Sequence, residues 1–124
     1  CVSDSPTEEQ AAAHAKILET MALGESFFKP GQSCREMFDA VHSELDGWNG
    51  YQFFHHAGHG VGLDPHEVPR INPHWDDTFQ EGDLVAFEPG LYGDDLKGGI
   101  RLENNYLITG DGFEKLSHFP MDLV

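Results

Sequence analysis

The chain reads as an α+β domain, with two helices followed by strands that form an antiparallel sheet and the helices packed on one sheet face. Three observations carry this. Capping boxes open two helical runs before Gly47. After Gly50 the apolar spacing changes from helical to strand-like. Turns bearing glycine, proline or aspartate then separate short apolar runs to the end of the chain.

Thr7-Glu8-Glu9-Gln10 is the first capping box, with Pro6 ahead of it and two acids in the first turn. The spacing predicts a helix over about residues 7–25. Ala11, Ala15, Leu18 and Ala22, with Ile17 and Met21 beside them, are its expected apolar face. His14 is expected to be an exposed or half-buried helix residue. Lys29-Pro30-Gly31 is a turn, and Ser33-Cys34-Arg35-Glu36 is the second capping box. Met37, Val41 and Leu45, flanked by Phe38, mark the core side of a second helix that Gly47 ends. Cys34 in its first turn is expected to be a small core or half-buried residue, and His42 to face solvent.

Tyr51-Gln52-Phe53-Phe54 has strand composition and leads into a histidine-rich stretch. Residues 68–80 carry Pro69, Asn72, Pro73 and two adjacent aspartates and read as a long loop. Leu84-Val85-Ala86-Phe87-Glu88 is a strand after the Glu81-Gly82-Asp83 turn. A further strand is expected from Ile100 to Ile108, then a turn at Gly110-Asp111-Gly112 and a short strand or coil.

With 124 residues the chain supports one domain with a modest core. It has 22 acidic against 7 basic side chains, a formal charge of −15. That charge repels phosphate backbones and argues against a nucleic-acid partner. Two cysteines without a Cys-x-x-Cys make neither a disulfide framework nor a structural zinc site, and a reducing, cytoplasmic setting fits. No apolar run approaches the length of a membrane span, and no signal peptide is visible.

His55-His56-Ala57-Gly58-His59-Gly60-Val61-Gly62-Leu63-Asp64-Pro65-His66-Glu67 holds four of the eight histidines. Gly58, Gly60, Gly62 and Pro65 make a helix costly there, so strand, turn and loop are expected. Downstream, Leu84, Ala86 and Glu88 share one strand face, so a carboxylate emerges from an apolar surface. Such a carboxylate needs a cation or donor to meet it. Arg101, Glu103 and Asn105 share a face of the later strand. The plain alternative for Glu88 and Glu103 is a pair of edge charges in water; their apolar neighbours argue for a site. Imidazole with carboxylates and no thiolate suits Mn²⁺, Co²⁺, Fe²⁺ or Zn²⁺ in an open catalytic site.

Gly58-His59-Gly60-Val61-Gly62 with His66-Glu67, then Phe87-Glu88-Pro89-Gly90, then Arg101-Leu102-Glu103, resembles the metallopeptidases of the pita-bread fold. That family includes methionine aminopeptidase, aminopeptidase P, prolidase and creatinase. The resemblance runs from about residue 6 to 117. It implies that His59, Glu88 and Glu103 are metal ligands, with Glu103 bridging two divalent ions (Mn, Co, Zn or Fe) and Glu88 also the general base. It implies that His66 contacts the scissile amide. His55 and Arg101 resemble substrate-site residues of the proline-directed members, which points to peptides cleaved at Xaa-Pro. The resemblance assigns His56 no role and makes Glu67 a structural carboxylate.

The family's metal pair also takes two aspartates ahead of the first helix, where this chain has only Asp4. The chain starts on Cys1 rather than Met. Residues 1–124 are therefore expected to be the C-terminal portion of a catalytic domain whose aspartate-bearing half is absent. Alone it is expected to be inactive or nearly so, to hold at most one ion, weakly, and to self-associate or pair with the missing half. Two other readings remain open: a non-catalytic pita-bread module that binds peptides or proteins, and a creatinase-like hydrolase.

Overall fold

The structure, a computed structural model, describes residues 5–123; Cys1 and Asp4 lie outside the described residues. Helices α1 (Glu8–Glu25) and α2 (Cys34–Leu45) come first. Strands β1 (Gly58–Gly60), β2 (Glu67–Ile71), β3 (Leu84–Phe87), β4 (Gly90–Gly93), β5 (Gly98–Arg101), β6 (Asn104–Ile108) and β7 (Phe113–Lys115) follow. Five of them form an antiparallel sheet in the order β2-β1-β3-β6-β7, and β4 pairs with β5 in a separate hairpin. This is the expected α+β order. Among the described residues no helix is long and apolar enough to cross a membrane.

Both halves of the first capping box form: Thr7 Oγ1 accepts from Gln10 N at 3.2 Å, and Gln10 Oε1 accepts from Thr7 N at 3.0 Å. Thr7→Ala is expected to lower stability by about 1 kcal/mol, read from the urea midpoint at constant slope. At α2 the Ser33 hydroxyl accepts from Glu36 N at 3.1 Å, while its backbone bridges to Thr78.

The buried face of α1 matches the expected one only in part. Ile17 and Met21 are buried as expected, together with Ala13, Thr20 and Gly24, whereas Ala11, Ala15, Leu18 and Ala22 are exposed. Alanines surround this helix, so apolar spacing barely distinguishes its sides. Close approach does: a Cβ at Gly24 would lie 2.5 Å from the Phe87 ring. Thr20 is accommodated by donating its hydroxyl to Lys16 O at 2.9 Å. Helix α2 buries the expected Met37, Phe38, Val41 and Leu45. His42 is half-exposed, stacked near Phe38 and Phe53.

Three strand expectations need correcting. Tyr51–Phe54 is irregular and contributes one bridge, Gln52 to Tyr92. Tyr51 and Phe53 turn into the core, whereas Phe54 is 70% exposed, and pairing with β4 stops after that one bridge. The expected 68–80 loop begins as an edge strand, β2. Pro69 is tolerated because the register shifts between His59 and Gly60, which removes Val68-Pro69 (a cis peptide) from the ladder. The single strand from Ile100 to Ile108 is two, since β5 pairs with β4 and β6 with β3 and β7.

The sheet has one core face and one open face. Val85, Phe87, Tyr106 and Ile108 pack with both helices, while Ala86 and Asn105 point the other way into a cavity. Fully buried Phe28, just past α1, meets Phe79, Phe87, Tyr106 and Phe113 at ring-centroid distances of 4.7–5.9 Å. Tyr106 donates its hydroxyl to Glu25 Oε1 at 2.8 Å, and burial first, then this bond, pushes its pKa up.

Cys34 is fully buried, as expected, and burial first, then Asp77, Asp83 and Asp76, pushes its thiol up to about 12. The thiolate is the reactive form. In a Cys1→Ser background, Cys34 is expected to resist an aromatic disulfide reagent at pH 8 until the protein unfolds. The unfolded thiol ionises near about 8.5, so the unfolded state sheds a proton that the folded state keeps. Stability should therefore fall as pH rises from there toward about 12. A flat stability curve across that window would contradict the assignment.

Candidate metal centre

The open sheet face carries a cavity of about 460 Å³. Glu88 enters it from the end of β3, His59 from β1, and Arg101 and Glu103 from the junction of β5 and β6. Strand β1 is squeezed between β2 and β3. A Cβ at Gly60 would lie 2.0 Å from Val68 O, and one at Gly58 2.3 Å from Ala86 O. Glycines on both sides of His59 thus let three strands close up while its imidazole projects into the cavity. Bends over residues 62–66 bring the chain back, and the His66 ring lies 4.1 Å from that of His59, centroid to centroid. Glu67 holds this loop, its Oε1 accepting from Asp64 N at 2.7 Å.

Glu88 is the electrostatic centre. It is only 6% exposed, and a carboxylate so buried requires partners. His56 Nε2 lies 2.8 Å and His59 Nε2 3.4 Å from its Oε1, and Arg101 Nε 3.5 Å from its Oε2. His59 Nδ1 is 3.0 Å from Gly60 O; a carbonyl only accepts, so Nδ1 carries the hydrogen and Nε2 presents its lone pair toward Glu88. Two acceptors facing each other at that distance call for a cation or proton between them. One nitrogen or oxygen from each of His56, His59, His66 and Glu88 lies within 4.8 Å of all the others. Imidazoles with a buried carboxylate and no thiolate fit a divalent metal.

Glu103 is exposed and lines the same cavity, but it is not one of the four groups that converge most tightly. His55 lies outside the four convergent groups and lines a neighbouring cavity of about 550 Å³ between α2 and the loop bearing Trp75. Its Nδ1 donates to His56 O at 2.6 Å and its Nε2 accepts from the Tyr92 hydroxyl at 2.8 Å. Burial pushes the His55 pKa down, partly offset by that bond to His56 O. Arg101, half-exposed, reaches both Glu88 and Tyr92, which links it to His55.

Two residues at this site escaped the sequence reading, His56 and Tyr92. His56 is three residues before His59, and an extended chain would place the two on opposite faces. Bends at His55 and Ala57 cancel that alternation. Tyr92 sits on β4, whose Gly-Leu-Tyr-Gly sequence carries little strand signal. The only available hint for either was proximity to an assigned motif.

The sequence pattern of metallopeptidase family M24 matches residues 1–110. An Xaa-Pro dipeptidase of Pyrococcus furiosus is 36% identical over 99% of this chain and 35% of its own length. Among solved structures, the prolidase from Pyrococcus horikoshii superposes with a TM-score of 0.87 at 33% identity, covering 97% of this chain and 35% of that one. The X-Pro aminopeptidase from Thermotoga maritima superposes with a TM-score of 0.85 at 29% identity, covering 95% and 34%. The chain thus spans about a third of the length of these relatives. Two helices followed by an antiparallel sheet are here part of the pita-bread fold of the prolidases. With the match extending over residues 1–110 and the motif residues gathered on the sheet's open face, the chain belongs to metallopeptidase family M24.

Proposed function

We propose that the complete protein hydrolyses peptide bonds at Xaa-Pro with divalent metal, as a dipeptidase or an aminopeptidase. The observation that carries this is the meeting of His59, Glu88 and His66 in a cavity that Arg101 and Glu103 also line. The names of the relatives, Xaa-Pro dipeptidase above all, support the substrate class.

In this reading His59, Glu88 and Glu103 would hold two divalent ions (Mn²⁺, Co²⁺, Zn²⁺ or Fe²⁺), together with two aspartates from outside this chain. Ions bound there would supply Lewis-acid polarisation of the scissile carbonyl and a nucleophile at neutral pH. Glu88 takes the proton of the attacking water, and its contact with Arg101 orients the carboxylate. His66 donates to the oxygen that becomes negative as the carbonyl carbon turns tetrahedral. His55 and Arg101, joined through Tyr92, bind the proline side of the peptide.

The same reading makes the chain the C-terminal portion of a catalytic domain, inactive or nearly so alone, in a reducing, cytoplasmic setting. It pairs with the missing half or with itself. Exposed Phe113 on edge strand β7 and the exposed Ala11, Leu18 and Ala22 of α1 support that pairing.

The test uses the chain and its complete parent protein, each with Mn²⁺ and an Xaa-Pro dipeptide or an Xaa-Pro-started tripeptide. The parent is expected to cleave one of them, and His59→Ala to abolish cleavage. The chain alone is expected to show no turnover. A metal-loaded parent that binds these peptides without cleaving them would replace the peptidase reading with that of a binding module.

A further inference from the structure

His56 lies outside the ligand set described above, yet its Nε2 is the polar atom nearest the buried Glu88 carboxylate, at 2.8 Å. The ring is half-buried and edge-on to both His59 and His66, with centroids 5.5 and 5.8 Å away. Four donor atoms on four side chains are thus already within 4.8 Å of one another. Tetrahedral ligands about 2.0–2.2 Å from an ion stand roughly 3.5 Å apart, so small side-chain movements close the set.

The geometry points to a four-donor, single-ion site for a tetrahedral cation of the Zn²⁺ or Co²⁺ type, made by His56, His59, His66 and Glu88 alone. It goes beyond the peptidase reading, since it needs neither Glu103 nor an aspartate from outside this chain. It also replaces weak occupancy of the chain with a complete coordination shell.

The hydrogen-bond geometry around the donors favours it. His59 already holds its hydrogen on Nδ1, facing Gly60 O, which leaves Nε2 free to ligate. Arg101 engages Glu88 Oε2 and leaves Oε1 to the imidazoles, which favours monodentate ligation through Oε1. His56 now donates from Nε2 to that oxygen, so ligation moves its hydrogen to Nδ1 with no net proton change. The nearby guanidinium opposes a dication, and one carboxylate with three imidazoles leaves the site a net cation. Three nitrogen donors suit Zn²⁺ or Co²⁺ better than Mn²⁺ or Mg²⁺, which take oxygen.

The test titrates the purified chain with Zn²⁺ or Co²⁺ alone, by calorimetry and by visible absorption of the Co²⁺ complex. One ion per chain and the intense absorption of four-coordinate Co²⁺ are expected. His56→Ala should weaken Zn²⁺ binding by at least about the tenfold that losing even an outer-shell partner costs, whereas His74→Ala, at an exposed histidine of the neighbouring cavity outside the four-donor set, should leave it within about twofold. Imidazole nitrogen resonances of the unsubstituted chain guard against a misfolded variant: Zn²⁺ should shift Nε2 of His56 together with Nε2 of His59. A His56 resonance that stays put, or a His74→Ala loss equal to that of His56→Ala, overturns the site. Neither result bears on whether the complete protein cleaves peptides.

Discussion

Glu88→Ala is expected to lower the affinity of the chain for Zn²⁺ by at least about 100-fold, the upper end of what losing a supporting group costs. Glu88 is the one carboxylate among the four convergent donors, and it is nearly buried. Its removal takes away the negative charge that offsets the ion and leaves the Arg101 guanidinium beside the vacated space. The fold should suffer far less than the site. A buried carboxylate carries a desolvation cost that alanine relieves, and Arg101 is half-exposed and can turn to water. Calorimetric titration with denaturation of the same sample separates the two effects. A variant that binds Zn²⁺ as before would remove Glu88 from the site.

Phe28→Ala is expected to cost about 3–5 kcal/mol, a large part of the stability of a domain this size. The ring is fully buried where the end of α1, the sheet and the loop bearing Phe79 meet. Four aromatic neighbours surround it, and Phe87 and Tyr106 are anchored by strand pairing, so the gap cannot close by local collapse. Phe113→Ala should cost clearly less, because that ring is 38% exposed at the sheet edge. Urea unfolding with an unchanged slope checks both, and equal losses would mean that Phe28 is not the central ring.

The helices were legible because caps and turns are local. Thr7 with Gln10, and Ser33 with Glu36, name their helix starts within four residues of sequence. Strand β3 was legible because two apolar faces in succession leave few alternatives. The buried side of α1, the edge strand through Pro69 and the break between β5 and β6 were not, because each depends on what another segment presents. Gly24 faces inward because Phe87 fits over it, and the chain divides near Glu103 because β4 is there to take β5.

The site divides in the same way. His59 and Glu88 stand out in the sequence, one between glycines and the other at the end of an apolar run before proline. His56 does not, and Glu103 lines the cavity outside the four groups that converge most tightly. Sequence by itself determined the family motifs, the helix starts, the strand that carries Glu88 and the absence of thiolate ligands from the motif cluster, since residue type and short spacing are written in the chain. Only the tertiary structure decided which imidazoles face the same carboxylate. Bends and strand junctions reset side-chain direction, and that direction is a property of the packed chain rather than of any short stretch of it.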